Sequence, residues 1–272
     1  TTTPYKPSIM NTAWHALKAE VLKNKHSPIH GITLVAFALA PIFGGIIMFL
    51  MQSRGMDGLS GALRSKSEVL AIAADWPSYL SILTQAVGVG GILIFGFITS
   101  WLFGREFSDG TVKDLIALPV SRANILNAKF IYATAWCVAL VICNLLLGLL
   151  IGFILGLSGW EWSFFARELN HYLLTTFLII LLNTPVAYFA LWGKGYLSPL
   201  GLVTIMLVMS QILGALGVGQ YFPWAVPGLY SGSGGAAYRS QLNYLSYALL
   251  FLTSIAGYFG SISYWSKKDL EK

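Results

Sequence analysis

Two places in the chain suggest chemistry by residue type, and neither completes the pattern that the chemistry needs. His26 and His30 stand four apart, the spacing that sets two imidazoles on one helical face. Pro28 lies between them, and the sequence offers no third ligand, so no metal site is expected. Lys194 sits in W-G-K-G, whereas a phosphate-cradling loop needs G-x4-G-K-[ST]; the upstream glycine and the hydroxyl residue are both missing. No H-E-x2-H occurs either. What remains is a polar stretch over 104–129, GREFSDGTVKDLIALPVSRANILNAK, between two long apolar runs. Its residues suit docking and force transmission rather than catalysis.

The elements that position this stretch follow from composition. The 272 residues are 56% hydrophobic and only 10% charged, with a mean hydropathy of +0.69, whereas soluble domains carry about 25% charged residues. The chain is an integral membrane protein. A helix rises about 1.5 Å per residue and the hydrocarbon core is about 30 Å thick, so a span needs roughly 20 mostly apolar residues. Six runs qualify, at 29–52, 79–104, 124–158, 172–192, 196–218 and 242–265. The third is long enough to tilt or to extend beyond the bilayer. The expected fold is an all-α, six-span bundle over 29–265, with an interfacial segment at 1–28 and a tail at 266–272, forming one transmembrane domain.

Charge sets the orientation, because cytoplasmic loops hold the excess of Lys and Arg. With the N-terminus inside, twelve of these residues fall on the inner side and five on the outer. Both termini are therefore expected in the cytoplasm, and no secretory signal pattern precedes residue 29. The net charge of +6 matches inner loops facing anionic lipid and calls for no nucleic-acid partner. Cys137 and Cys143 share one span and read as small core residues.

Apart from Lys129, near the start of the third, the spans carry no charge. No Asp, Glu, Lys or Arg occurs over 130–160, 172–193, 195–238 or 241–266, and one such residue at mid-bilayer costs about 2.5 to 3.5 kcal/mol on insertion scales. A proton-coupled carrier or a membrane metallo-enzyme is thereby disfavoured.

Smaller features fill in the frame. Met10, Trp14, Leu17 and Val21 recur at helical spacing, giving an amphipathic helix on the inner leaflet that serves as anchor and lever. The loop over 53–78 holds enough apolar residues for a short surface helix and reads as a connection. Gly148, Gly152 and Gly156 make two overlapping G-x3-G steps, read as close packing within the subunit. Asn183, Thr184 and Pro185 are expected to interrupt the fourth span. The aromatic, proline-rich stretch 220–241 suits either a short re-entrant piece or a surface loop.

The polar stretch itself reads as a sequence of turns and caps. Asp109-Gly110 breaks a helix; Thr111 with Asp114 can start a short one over 112–118 with Val112, Leu115 and Ile116 on one face; Pro119 stops it; Ser121 caps the third span. The joint spacing E-x3-G-T-x3-L-x3-P-V-S-R-x2-I-L-x2-K, from Glu106 to Lys129, resembles the inner-loop signature of type-2 ABC transporter permeases (ABC-2). The basic amphipathic helix and the six spans are similar to that family too. Arg105 departs from it, standing where many members carry a second acid.

The resemblance implies a permease subunit that is not itself an enzyme. It would pair with a second permease subunit, as homodimer or heterodimer, and with cytoplasmic ABC ATPases that bind ATP and Mg; this chain would carry no cofactor. Glu106, Gly110, Thr111, Leu115, Pro119 and Arg122 would form the ATPase-coupling region. Glu106 and Arg122 would be available for ion pairing within the loop or to the ATPase. A translocation path near the second and fifth spans would involve Ser210, Gln211 and Gly214. The expected function is export of an amphiphilic compound such as a peptide antibiotic or lipid. Two alternatives stay open: a mechanical transducer acting on an extracytoplasmic partner in metal-enzyme maturation, and an ATP-independent channel or scramblase.

Overall fold

The computed structural model describes residues 9–54, 73–116, 120–233, 235 and 239–267. It is all-α. An interfacial helix α1 (Ile9–Asn24) leads into α2 (Ile29–Arg54), α3 (Trp76–Ser108), a short α4 (Val112–Ile116), α5 (Arg122–Ile154), α6 (Trp162–Trp192) and α7 (Leu197–Ala215). Two 3-10 turns, Gly219–Tyr221 and Pro223–Ala225, precede a short α8 (Val226–Ser231), and α9 (Tyr244–Lys267) closes the bundle. Six of these helices, α2, α3, α5, α6, α7 and α9, are long and apolar enough to cross a membrane.

The span boundaries carry corrections. The fourth helix begins ten residues before the expected 172, at Trp162, because Arg167, Glu168 and His171 lower the hydropathy of a turn or two that is helical all the same. It also runs unbroken through Pro185 rather than being interrupted there. The third helix stops at Ile154, not 158: Gly156 adopts φ +59 and terminates it. The second starts at Trp76, where Asp75 accepts from the Ser78 amide at 2.9 Å and Pro77 occupies the first turn. At 33, 33 and 31 residues, α3, α5 and α6 exceed what the hydrocarbon core requires. The surface helix expected within 53–78 lies largely outside the described residues.

Helix α3 is the centre of the bundle, buried along both sides from Trp76 to Glu106 and touching α2, α5, α6, α7 and α8. The glycines of α5 serve this packing. Gly148 receives Leu83 and Gly152 receives the Trp76 ring, each so closely that a Cβ would collide. These two therefore pack within the subunit, while Gly156 ends the helix.

Prolines inside membrane helices leave carbonyls without their usual amide donor, and in lipid each must find another partner. Both do. Pro41 frees the Phe37 carbonyl, and Asn144 Nδ2 of α5 donates to it at 2.8 Å. The Tyr172 hydroxyl of α6 lies 3.0 Å from Asn144 Oδ1, and the Tyr79 hydroxyl donates to the Pro41 carbonyl at 3.0 Å. Pro185 frees the Leu181 carbonyl, which at 3.0 Å shares the single Thr184 hydroxyl proton with the nearer Ser254 carbonyl of α9 at 2.6 Å.

The stretch after α7 is re-entrant. Trp224, Ala225, Val226, Leu229 and Ser231 are all buried, and α8 packs on α3 and α6. A Cβ at Gly88 would clash with Ser231, so this glycine makes the room that lets α8 sit against α3.

Candidate coupling site

The C-terminus of α3 turns sharply. The Thr111 amide donates to the Glu106 carbonyl at 2.9 Å and the Gly110 amide to the Phe107 carbonyl at 3.4 Å, with Gly110 at φ +72. This is a Schellman closure, and the left-handed conformation explains the glycine. The chain then enters α4, where the Leu115 amide donates to the Thr111 carbonyl at 3.2 Å. Val112 and Leu115 turn inward onto a cluster built on Leu102, Phe103, Leu126 and Trp265. Lys113 faces out, as do Ser108, Asp109 and Gly110. Pro119 and the Asp114 side chain lie outside the described residues. Ser121 caps α5, accepting from the Asn124 amide at 3.2 Å.

Glu106 is not offered to a partner. It is 2% exposed, and its Oε1 lies 2.5 Å from Lys129 Nζ and 2.8 Å from Lys23 Nζ. Lys129, itself 3% exposed, also meets Glu20 Oε1 at 3.1 Å and donates to the Leu102 carbonyl at 3.2 Å. An ammonium has three donors, and three acceptors surround this one. Two carboxylates and two ammonium groups thus form a neutral cluster joining α1, α3 and α5. Arg105 extends it: Nη1 donates to Asn24 Oδ1 at 2.8 Å, and the guanidinium lies over the Trp101 ring at 4.6 Å. The departure at Arg105 is thereby a contact to α1. Asn24 in turn donates to the Glu20 carbonyl at 2.8 Å.

Arg122 works at the other side of the hairpin. Its Nη1 donates to the carbonyls of Trp265 and Ser266, each at 3.3 Å, at the end of α9, where a cation also opposes the helix dipole. Glu106 and Arg122 are therefore not paired with each other; one grips α1 and α5, the other α9.

Sequence reasoning missed Glu20, Lys23 and Asn24 and gave Lys129 no role. The stripe of Met10, Trp14, Leu17 and Val21 drew attention to another face of α1. Trp14 and Val21 point away from the bundle, and the face toward α5 is Ala16, Glu20 and Asn24, at i, i+4 and i+8. That periodic trio with a carboxylate in it, set against a lone Lys129 inside an apolar run, was the available signal.

Ser210, Gln211 and Gly214 do converge. They line a cleft of about 210 Å3 between α7 and the re-entrant stretch, opposite Ala225, Gly228 and Ser233. Ser210 turns its hydroxyl back to the Leu207 carbonyl at 2.7 Å, and Gln211 Nε2 donates to it at 3.4 Å. His30 binds the Tyr132 hydroxyl through Nε2 at 2.6 Å and lies 3.2 Å from the Ser27 carbonyl through Nδ1, so both ring nitrogens are engaged. Among the described residues, no three of His, Cys, Asp or Glu gather as metal ligands would.

Comparison with known proteins places this architecture. A relative, the bacitracin transport permease protein BCRB of Bacillus licheniformis, is 27% identical over 181 residues, covering 66% of this chain and 86% of that protein. A family profile described as ABC-2 family transporter protein matches residues 16–211, which take in α1 from its buried Ala16, the ion-pair cluster, the hairpin and most of α7. The chain belongs to the ABC-2 family of transporter membrane proteins, as a multi-pass permease subunit without catalytic activity of its own.

Proposed function

We propose that this chain is one half of a dimeric pore in the cytoplasmic membrane, exporting an amphiphilic compound with energy from ATP and Mg bound on separate ATPase subunits. The observation that carries the reading is the double anchorage of the 105–122 hairpin. Glu106 and Arg105 tie it to α1 and α5, and Arg122 ties it to α9. A push on the hairpin is thus delivered to four helices together. Ser108, Asp109, Gly110 and Lys113 form the face an ATPase would grip; Glu106, Thr111, Leu115 and Arg122 hold that face in place, and Pro119 belongs to the same loop.

The Lys and Arg distribution supports termini in the cytoplasm, with the whole chain acting as one permease domain. Helix α7 supports a subunit partner, since of the six spans it buries least against its own chain: 22% of its most apolar stretch, against 61% for α3. A second permease copy covering α7 would place Ser210, Gln211 and Gly214 beside the path. The relative named for bacitracin transport makes bacitracin the first compound to test.

The experiment is purification from native membranes in mild detergent, followed by reconstitution. Co-purification of a P-loop ATPase, lost in the Asp109→Lys, Lys113→Glu double variant while the chain stays folded, is the expected result. Transport by the purified chain alone in liposomes would overturn the reading.

A further inference from the structure

A groove of about 830 Å3 runs between α6 and α9, and neither the hairpin nor the cleft beside α7 accounts for it. Along α9 it extends from Thr253, beside Trp224, to Lys267, which is about 21 Å at 1.5 Å per residue. Its depth is limited where Gly257 presses on the Pro185 backbone, and Tyr188 walls the side facing Gly260.

Polarity specifies the occupant. The groove is shallow where Gly257 meets Pro185 and long enough for a hydrocarbon chain to lie in it. The walls are mostly aromatic rings and small residues, and Thr253 has already committed its hydroxyl to the Leu249 carbonyl at 2.7 Å. The one charged residue of the lining stands at one end, where Ser263 and Lys267 are four apart on the same face. Lys267 makes no ion pair among the described residues. That end lies on the hairpin side of the bundle, since Arg122 contacts the carbonyls of Trp265 and Ser266.

We propose that the groove between α6 and α9 holds a phospholipid of the hairpin-side leaflet, with an acyl chain lying along Gly260 and Ala256 and an anionic headgroup against Lys267 and Ser263. It is a resident lipid, independent of the transported compound and of which compartment the hairpin faces.

The test is native mass spectrometry of the purified full chain titrated with phosphatidylglycerol or phosphatidylcholine. Wild type should retain a phosphatidylglycerol adduct in preference to phosphatidylcholine. Lys267→Gln should weaken the former about fivefold and leave the latter unchanged, as loss of one cation near an anionic surface implies. Lys267→Arg should restore the preference, and Lys25→Gln, a cation elsewhere on that side, should not alter it. Gly260→Phe, which fills the groove, should remove both adducts. An unchanged preference in Lys267→Gln would overturn the proposal even if Gly260→Phe failed to fold. So would disulfide cross-linking of two copies through Ser263→Cys, which would show a protein partner covering the groove.

Discussion

The two ends of the bundle are held by different physics. At the hairpin end, buried charges are matched donor for acceptor: Lys129 between Glu20 and Glu106, Lys23 on Glu106, Arg122 on the end of α9. At the opposite end, rings and small residues carry most of the buried packing. Trp76, Phe153, Trp160 and Phe165 stack edge to face or tilted at centroid distances of 4.8 to 5.3 Å, and α8 rests in the space left by Gly88. Ion pairs are directional and costly to break inside a low-dielectric site, whereas ring contacts tolerate sliding. One end is suited to receiving force as a unit, the other to changing shape.

The strongest way to break this contrast is to orphan the buried carboxylates. Lys129→Met leaves Glu20 and Glu106 short of a partner and should destabilise the chain by about 3 to 5 kcal/mol, read as thermal unfolding in detergent. Adding Glu106→Gln should recover part of that loss, and a double-mutant cycle measures the coupling. At the other end, Gly88→Val drives a side chain into Ser231 and should cost about 1 to 3 kcal/mol. It should impair transport while leaving ATPase association intact, and equal loss of both would erase the distinction between the ends.

Between the ends, Asn144→Leu strips the Phe37 carbonyl of its donor and should cost about 1 to 3 kcal/mol, seen as a lowered Tm and faster amide exchange near Phe37. The smallest effect is expected at the turn. Gly110→Ala, forced to φ +72 with open space around it, should cost about 1 to 2 kcal/mol from backbone strain alone, and Gly110→Asn less. Both leave the ion pairs intact, so ATPase association should survive them.

Much of the fold was legible because lipid imposes it. Apolar runs gave six helices, and Gly110 and Ser121 mark ends by local chemistry that sequence displays; Asp75 and Gly156 were passed over, the one lying outside the apolar run and the other matching a packing motif. The misplaced start of α6 has a plain cause: Arg167 and Glu168 continue a helix past the hydrophobic run, so hydropathy marks where the apolar run begins, not where the helix does. The candidate site was half legible. The hairpin's turn and the cap of α5 are local, so Gly110 and Ser121 could be read directly. The fate of Glu106 could not, since Lys23 and Lys129 are 83 and 23 residues away and their meeting depends on how α1 rests on α5.

The missing amide at Pro41 has a mechanical corollary. One rung of α2 is supplied by Asn144 of α5, and Asn144 is itself braced by Tyr172 of α6. The two halves of α2 are thus spliced through a neighbouring helix, and α5 sets the heading of the half beyond the proline. A rotation of α5, begun at Lys129 on the hairpin side, would reach the far half of α2 as a change of direction. The protein would then steer that segment without pushing it.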